Sequence, residues 1–103
     1  QDAAALTSAL ARIGRVTQAA WAGGDASEAL ANAVPYMQAF GHVVIAWMWL
    51  ELAMAATRSE AARAGLTGAK TYFYQYELPR IDAWLQVVER RDMTCAELPE
   101  EAF

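Results

Sequence analysis

The larger apolar residues of this chain recur at steps of three and four over most of its length, a period that fits α-helix and little else. Between Ala3 and Ala22 they fall at Leu6, Leu10, Ile13, Val16, Ala20 and Trp21, one stripe along a first helix. Gly23-Gly24 ends it, and Asp25 is placed to cap the next helix by accepting from the amide of Glu28, a D-x-x-E variant of the capping box. A second pattern runs from Ala26 through Leu30, Ala33, Met37, Phe40, Val44, Trp47, Leu50 and Met54 and does not lapse before Arg63. Such a helix would be about 57 Å long at 1.5 Å per residue. A kink or break is therefore expected at Pro35 and Gly41, because an interior proline removes a ladder hydrogen bond and costs about 3 kcal/mol. Gly65 reads as the residue that closes this helix and Thr67 as the next N-cap, with Leu66 stapling the turn. A third helix is expected from Gly68 to Arg91, with the stripe Ala69, Tyr72, Phe73, Tyr76, Trp84, Val87 and Val88 and a bend at Pro79. Asp92 to Phe103 contains Pro99 and is acidic, so an irregular tail is expected there.

Composition points the same way. Twenty-four alanines stand against 15 β-branched residues, which excludes an all-β or disordered chain. The expected fold is all-α: one domain over 1–103, an up-and-down bundle of three long helices, or four if the second breaks near Pro35. A chain of 103 residues hides roughly 60 to 70% of its unfolded surface, enough for one core but not for a core plus a deep enclosed active site. The net charge of −4 and the scattering of the 8 basic residues exclude a nucleic-acid surface. The single Cys95 excludes an internal disulfide and a cysteine-based metal site, and fits a cytoplasmic setting. The longest apolar run, Val43 to Leu50, ends at Glu51 after 8 residues, short of the ~20 that span a bilayer, so no transmembrane helix and no membrane partner are expected. Gln1-Asp2 gives neither an initiator Met nor a signal-peptide start, and the chain reads as a piece of a longer one.

Few residues suggest chemistry. His42 is the only histidine, and no carboxylate or cysteine lies three or four residues away on its helix to make a dyad or ligand pair; a packed or interface histidine outweighs a catalytic one. Glu51 interrupts the most apolar stretch. Buried alone it would carry a raised pKa and serve as a base, whereas an ion pair with Arg58, Arg12 or Lys70 is the weightier reading. Lys70 and Arg80 are separated cations that decorate helices rather than form a phosphate site. Tyr72-Phe73-Tyr74-Gln75-Tyr76 cannot make one flat stacking platform, because neighbours on a helix point about 100° apart. Val43 to Leu50 is apolar on all sides, and a helix buried all round needs a cover that a three-helix bundle does not supply. Phe40, Trp47, Trp49, Tyr72, Tyr74 and Tyr76 are accordingly candidate interface residues. No Walker loop, G-x-G-x-x-G, nucleophile elbow or H-E-x-x-H occurs, so no catalytic, cofactor-binding or metal-ligating residue is assigned.

Several short motifs together resemble one family. Ala31-Asn32-Ala33-Val34-Pro35-Tyr36 leading to Phe40-Gly41 and Trp47, then Lys70 with Tyr72-Phe73, Leu78-Pro79 and the ending Leu98-Pro99-Glu100-Glu101-Ala102-Phe103, are similar to the extra C-terminal helical domain of bacterial acyl-CoA dehydrogenases. The resemblance covers nearly the whole chain. It implies a parent flavoprotein that binds FAD and removes hydrogens from Cα and Cβ of an acyl-CoA thioester in fatty-acid metabolism, with a glutamate taking the proton and the flavin taking the hydride. Those sites belong to the preceding domains of the family, and no position here matches them. The implied role is a non-catalytic appendage that packs on the dehydrogenase body or across its oligomer interface, the expected partners being those domains and further copies of the chain. The alternatives are peripheral membrane contact and a free-standing helical interaction module.

Overall fold

The structure, a computed structural model, describes residues 2–55 and 59–102. Helix α1 (Asp2–Ala20) is followed by a short α2 (Ala26–Leu30) and by α3 (Ala33–Ala55). The third rod is composite: α4 (Glu60–Tyr72), a π-turn (Phe73–Glu77), a 3₁₀ turn (Leu78–Arg80) and α5 (Ile81–Glu89). Two single turns, α6 (Thr94–Glu97) and a 3₁₀ turn (Glu100–Ala102), make up most of the tail. The expected helical bundle is present. Its core is one cluster to which α1 contributes Leu6, Ala9, Ile13, Val16 and Ala20, and α3 contributes Ala39, Val43 and Ala46. The third rod adds Phe73, Tyr74, Leu78, Ile81, Leu85 and Val88.

Several boundaries differ from the sequence reading. The second rod breaks at Ala31-Asn32, before Pro35 rather than at it. The Asn32 carbonyl accepts from the Tyr36 amide at 3.2 Å, so Pro35 lies in the first turn of α3, where its missing N–H would have had no intrahelical partner anyway. Asn32 Nδ2 also donates to the carbonyls of Asp92 (2.8 Å) and Val87 (3.4 Å), tying the break to the end of α5. Asp25 caps α2 by accepting from the Ser27 amide at 3.0 Å, not from Glu28. Glu28 instead pairs with Arg91 at 3.5 Å.

The junction of the second and third rods also lies earlier than expected. Ser59 is the N-cap of α4, its Oγ accepting from the Ala62 amide at 3.3 Å, with Glu60 favourably placed in the first turn. Gly65, Leu66, Thr67 and Gly68 are all interior to α4, so the expected glycine stop and threonine cap are absent. Only Gly24 among the glycines has a positive φ, 71°. At the other end, α5 closes without glycine. Arg91 takes the left-handed conformation (φ 53°), while its amide donates to Val88 (3.0 Å) and that of Asp92 to Val87 (3.2 Å), the paired bonds of a Schellman motif.

The π-turn has a cause in the inward-facing residues of the third rod. Ala62, Leu66, Ala69 and Phe73 follow helical steps, and so do Tyr74, Leu78, Ile81, Leu85 and Val88, but the second set is one residue out of phase with the first. An uninterrupted α-helix would rotate the second set about 100° off the core. The wider π-turn absorbs the extra residue and keeps both sets facing inward. It also precedes Pro79, whose 3₁₀ turn tolerates the absent N–H.

The molecule measures 58 × 29 × 16 Å. An ion pair between Lys70 and Asp2 (2.8 Å) and a hydrogen bond from the Tyr74 hydroxyl to the Ala46 carbonyl (2.7 Å) set the start of α1 level with these points on the other rods. Beyond that level α3 and α4 continue as a two-helix extension. Among the described residues, neither α3 after Ala46 nor any part of α4 contributes a fully buried side chain.

Candidate functional site

Helix α3 is apolar over nearly its whole circumference, and only one side of it is covered. Its inner side is Ala39, Val43 and Ala46, flanked by half-buried Tyr36, Trp49 and Leu50. Small side chains there let α3 approach α1 and α5 closely. Met37, Phe40, Val44 and Trp47 of the second apolar pattern point outward: Met37 is 61%, Phe40 44% and Trp47 52% exposed, Phe40 and Trp47 being two of the candidate interface residues. Val34, Ile45, Met48, Leu52 and Met54 are exposed beside them, and Leu10 of α1 joins the same surface. Contiguous exposed apolar surface of this kind marks an interaction face on a soluble domain, and the outer side of α3 with Leu10 forms one. Leu10, Ile13, Phe40, Val43, Val44 and Trp47 line a groove of ≈ 150 Å³ between α1 and α3. The lining is made of apolar residue types only, so the groove suits a hydrophobic knob and offers no group for acid–base or phosphate chemistry.

The other candidate interface residues divide. Tyr72 and Tyr76 are exposed and stack on each other with centroids 4.9 Å apart. Trp49 packs against the core. Tyr74 is a correction: it is buried, its hydroxyl bonded to Ala46, and so is a core residue unavailable to a partner. Burial, reinforced by the negative charge of Asp2, pushes its phenol above 10.0.

His42 has a partner that its own helix does not reveal. Its Nε2 lies 3.1 Å from Glu77 Oε1, and a carboxylate acceptor requires the proton on that nitrogen. Arg80 Nη1 donates to the same oxygen at 3.1 Å, and its guanidinium lies 5.3 Å from the centre of the Trp84 ring. The imidazole packs edge-on against Trp84, 4.8 Å between centroids. The hydrogen bond from His42 holds the Glu77 carboxyl below 4.5, against desolvation and with help from Arg80. The geometry of this group is that of a clasp between α3 and the third rod. Glu51 is not buried: it is exposed on the outer face of α3. Arg12 pairs with Asp82 and Lys70 with Asp2, and Arg58 lies outside the described residues.

Helix α3, at 23 residues with a mean hydropathy of 1.2 over its most apolar window, is long and apolar enough to cross a bilayer by length and composition. The sequence, read through its eight-residue run, indicated no such helix. A single exposed glutamate does not lower the average of a longer window enough to matter.

A family model described as acetyl-CoA dehydrogenase C-terminal like matches residues 1–99. Neither the curated proteins nor the solved structures yield a match.

Proposed function

The chain belongs to the acetyl-CoA dehydrogenase C-terminal-like family, and from that premise we propose that it is the non-catalytic C-terminal domain of a FAD-dependent acyl-CoA dehydrogenase, docking through the outer face of α3. The parent chain is an oxidoreductase of fatty-acid metabolism, resident in the cytoplasm, that removes hydrogens from Cα and Cβ of acyl-CoA thioesters. This domain holds its catalytic body or its oligomer together. The observation that carries the reading is the uncovered apolar face of α3 with the groove beside Leu10 and Trp47.

The residues described here do not fit FAD. A flavin dinucleotide needs a polar cradle for its pyrophosphate and donors to its ring. The groove beside α1 is lined by aliphatic and aromatic side chains, and Lys70, Arg12, Arg80 and Arg91 are each paired with a carboxylate. The flavin and the acyl thioester are therefore assigned to the preceding domains, and no chemical step is routed through this one.

A lipid surface is the competing occupant, since α3 has the length and hydropathy of a spanning helix. Its inner side is already packed on α1 and α5, however, whose outer surfaces carry Arg15 and Glu89. A spanning bundle would have to place those charges in hydrocarbon. Deleting the domain from the intact dehydrogenase is expected to lower its melting temperature or reduce its sedimentation coefficient beyond the lost mass while leaving bound flavin reducible by substrate. Unchanged assembly and stability would count against the proposal, and flotation of the intact chain with neutral lipid vesicles would support the membrane reading.

A further inference from the structure

We infer that the hollow between α1, α2 and α3 is a binding pocket for a small neutral aromatic molecule that carries one hydroxyl donor, a phenol being the simplest. The pocket lies apart from the groove beside Leu10 and Trp47 and shares none of its lining.

Its shape follows from the break in the second rod. Ala20 at the end of α1, Ala29 of α2 and Ala33 at the start of α3 surround a hollow of ≈ 210 Å³, with Val88 of α5 beside them. Methyl groups at these places leave depth that larger side chains would fill. The wall that α2 supplies is pinned: Glu28 pairs with Arg91 at 3.5 Å, Asn32 is bonded to the carbonyls of Asp92 and Val87, and Asp25 caps the first turn. A hollow held at both ends of its wall is formed before a ligand arrives.

Size and lining set the body of the ligand. An apolar cavity of about 150 Å³ accepts a benzene ring, so this one has room for a ring with a small substituent. Trp21, Leu30 and Met37, one from each side of the hollow, stand exposed at its mouth. An indole and a thioether are surfaces on which aromatic rings pack well. Among the described residues no acidic or basic side chain lines the pocket, so a charged ligand would lose its water without gaining a counter-charge.

One hydrogen bond sets the functional group. The Thr17 hydroxyl donates its single proton to the Ile13 carbonyl at 2.7 Å. The 2.8 Å contact between Thr17 Oγ1 and the Tyr36 hydroxyl is then donated by Tyr36, because Thr17 has no second proton to give. Both residues line the hollow. With both protons spent, the pair offers a ligand an acceptor and no donor. A ring hydroxyl extends this chain of bonds, whereas an ether oxygen in its place sets acceptor against acceptor and leaves both unpaired.

The test uses the intact chain that carries this domain and follows two probes by ¹⁹F NMR at pH 7: 4-fluorophenol, and 4-fluoroanisole, in which the donor is methylated. The wild type is expected to bind the phenol about fivefold more tightly than the ether. Ala29→Leu fills the hollow and is expected to weaken both by more than about tenfold, with the helical circular dichroism unchanged. Thr17→Val keeps the side-chain shape but frees the Tyr36 proton, so the pocket gains a donor and the preference for the phenol is expected to collapse. Tyr36→Phe removes the acceptor and is expected to abolish the preference too. No binding to the wild type, binding indifferent to Ala29→Leu, or a preference that survives both Thr17→Val and Tyr36→Phe would each overturn the assignment.

Discussion

At Glu77 two distant parts of the chain meet on one carboxylate: His42 from α3 and Arg80 from the following turn share its Oε1. Because its pKa is held below 4.5 in the fold, the ionised carboxylate stabilises the native state at pH values above the unfolded one. That contribution disappears as the pH falls through the depressed folded value. The melting temperature of His42→Ala is therefore expected to lie below that of the wild type at pH 7, with the gap narrowing as the pH is lowered through and below 4.5; thermal melts followed by circular dichroism between pH 3 and 7 check it. A gap independent of pH would assign the effect of His42 to its packing on Trp84 alone. The sequence isolates His42 as a lone histidine on an apolar helix but cannot supply Glu77, 35 residues away. Tyr74 shows the same limit. It stands in an aromatic run with neighbours both exposed and buried, and only the Ala46 carbonyl waiting across the core makes it an interior residue.

Among elements, α4 separates local from tertiary information most cleanly. Gly65 and Gly68 look like punctuation, yet both are helical and solvent-facing, with open space where a Cβ would be. Alanine at either position is expected to stabilise the protein by about 0.5–1 kcal/mol, read as a rise in urea midpoint with unchanged slope. A left-handed helix stop at Gly65 would give the opposite sign. The usable signal lay a turn earlier, where Ser59-Glu60 offers a capping oxygen followed by an acidic first turn. The phase slip of the third rod was likewise present in the residues, since Phe73 and Tyr74 each begin or end a regular series. It becomes legible only once Leu78, Ile81 and Leu85 are known to share the core.

At the scale of the whole molecule, the bundle is well packed at one end and thin at the other. Leu85 and Val16 are fully enclosed where three rods meet, while the α3–α4 extension has only two helices to hide its side chains. Local opening costs least where the fewest apolar contacts must break. In hydrogen exchange, the amides of α4 between Arg63 and Ala69 are accordingly expected to lose protection well before those around Leu85 in α5; equal protection would show that the extension opens only with the whole domain. Helical class, the three rods, the acidic tail and the surplus of apolar surface were all determined by the sequence, because a 3.6-residue period and a composition rich in alanine act locally. Which side of α3 faces inward was decided only by the tertiary structure. A helix apolar all round gives no preferred face by periodicity, and here packing against α1 and α5 put Ala39, Val43 and Ala46 in the core. Met37, Phe40, Val44 and Trp47 were left outside, where they form the apolar face through which docking is proposed.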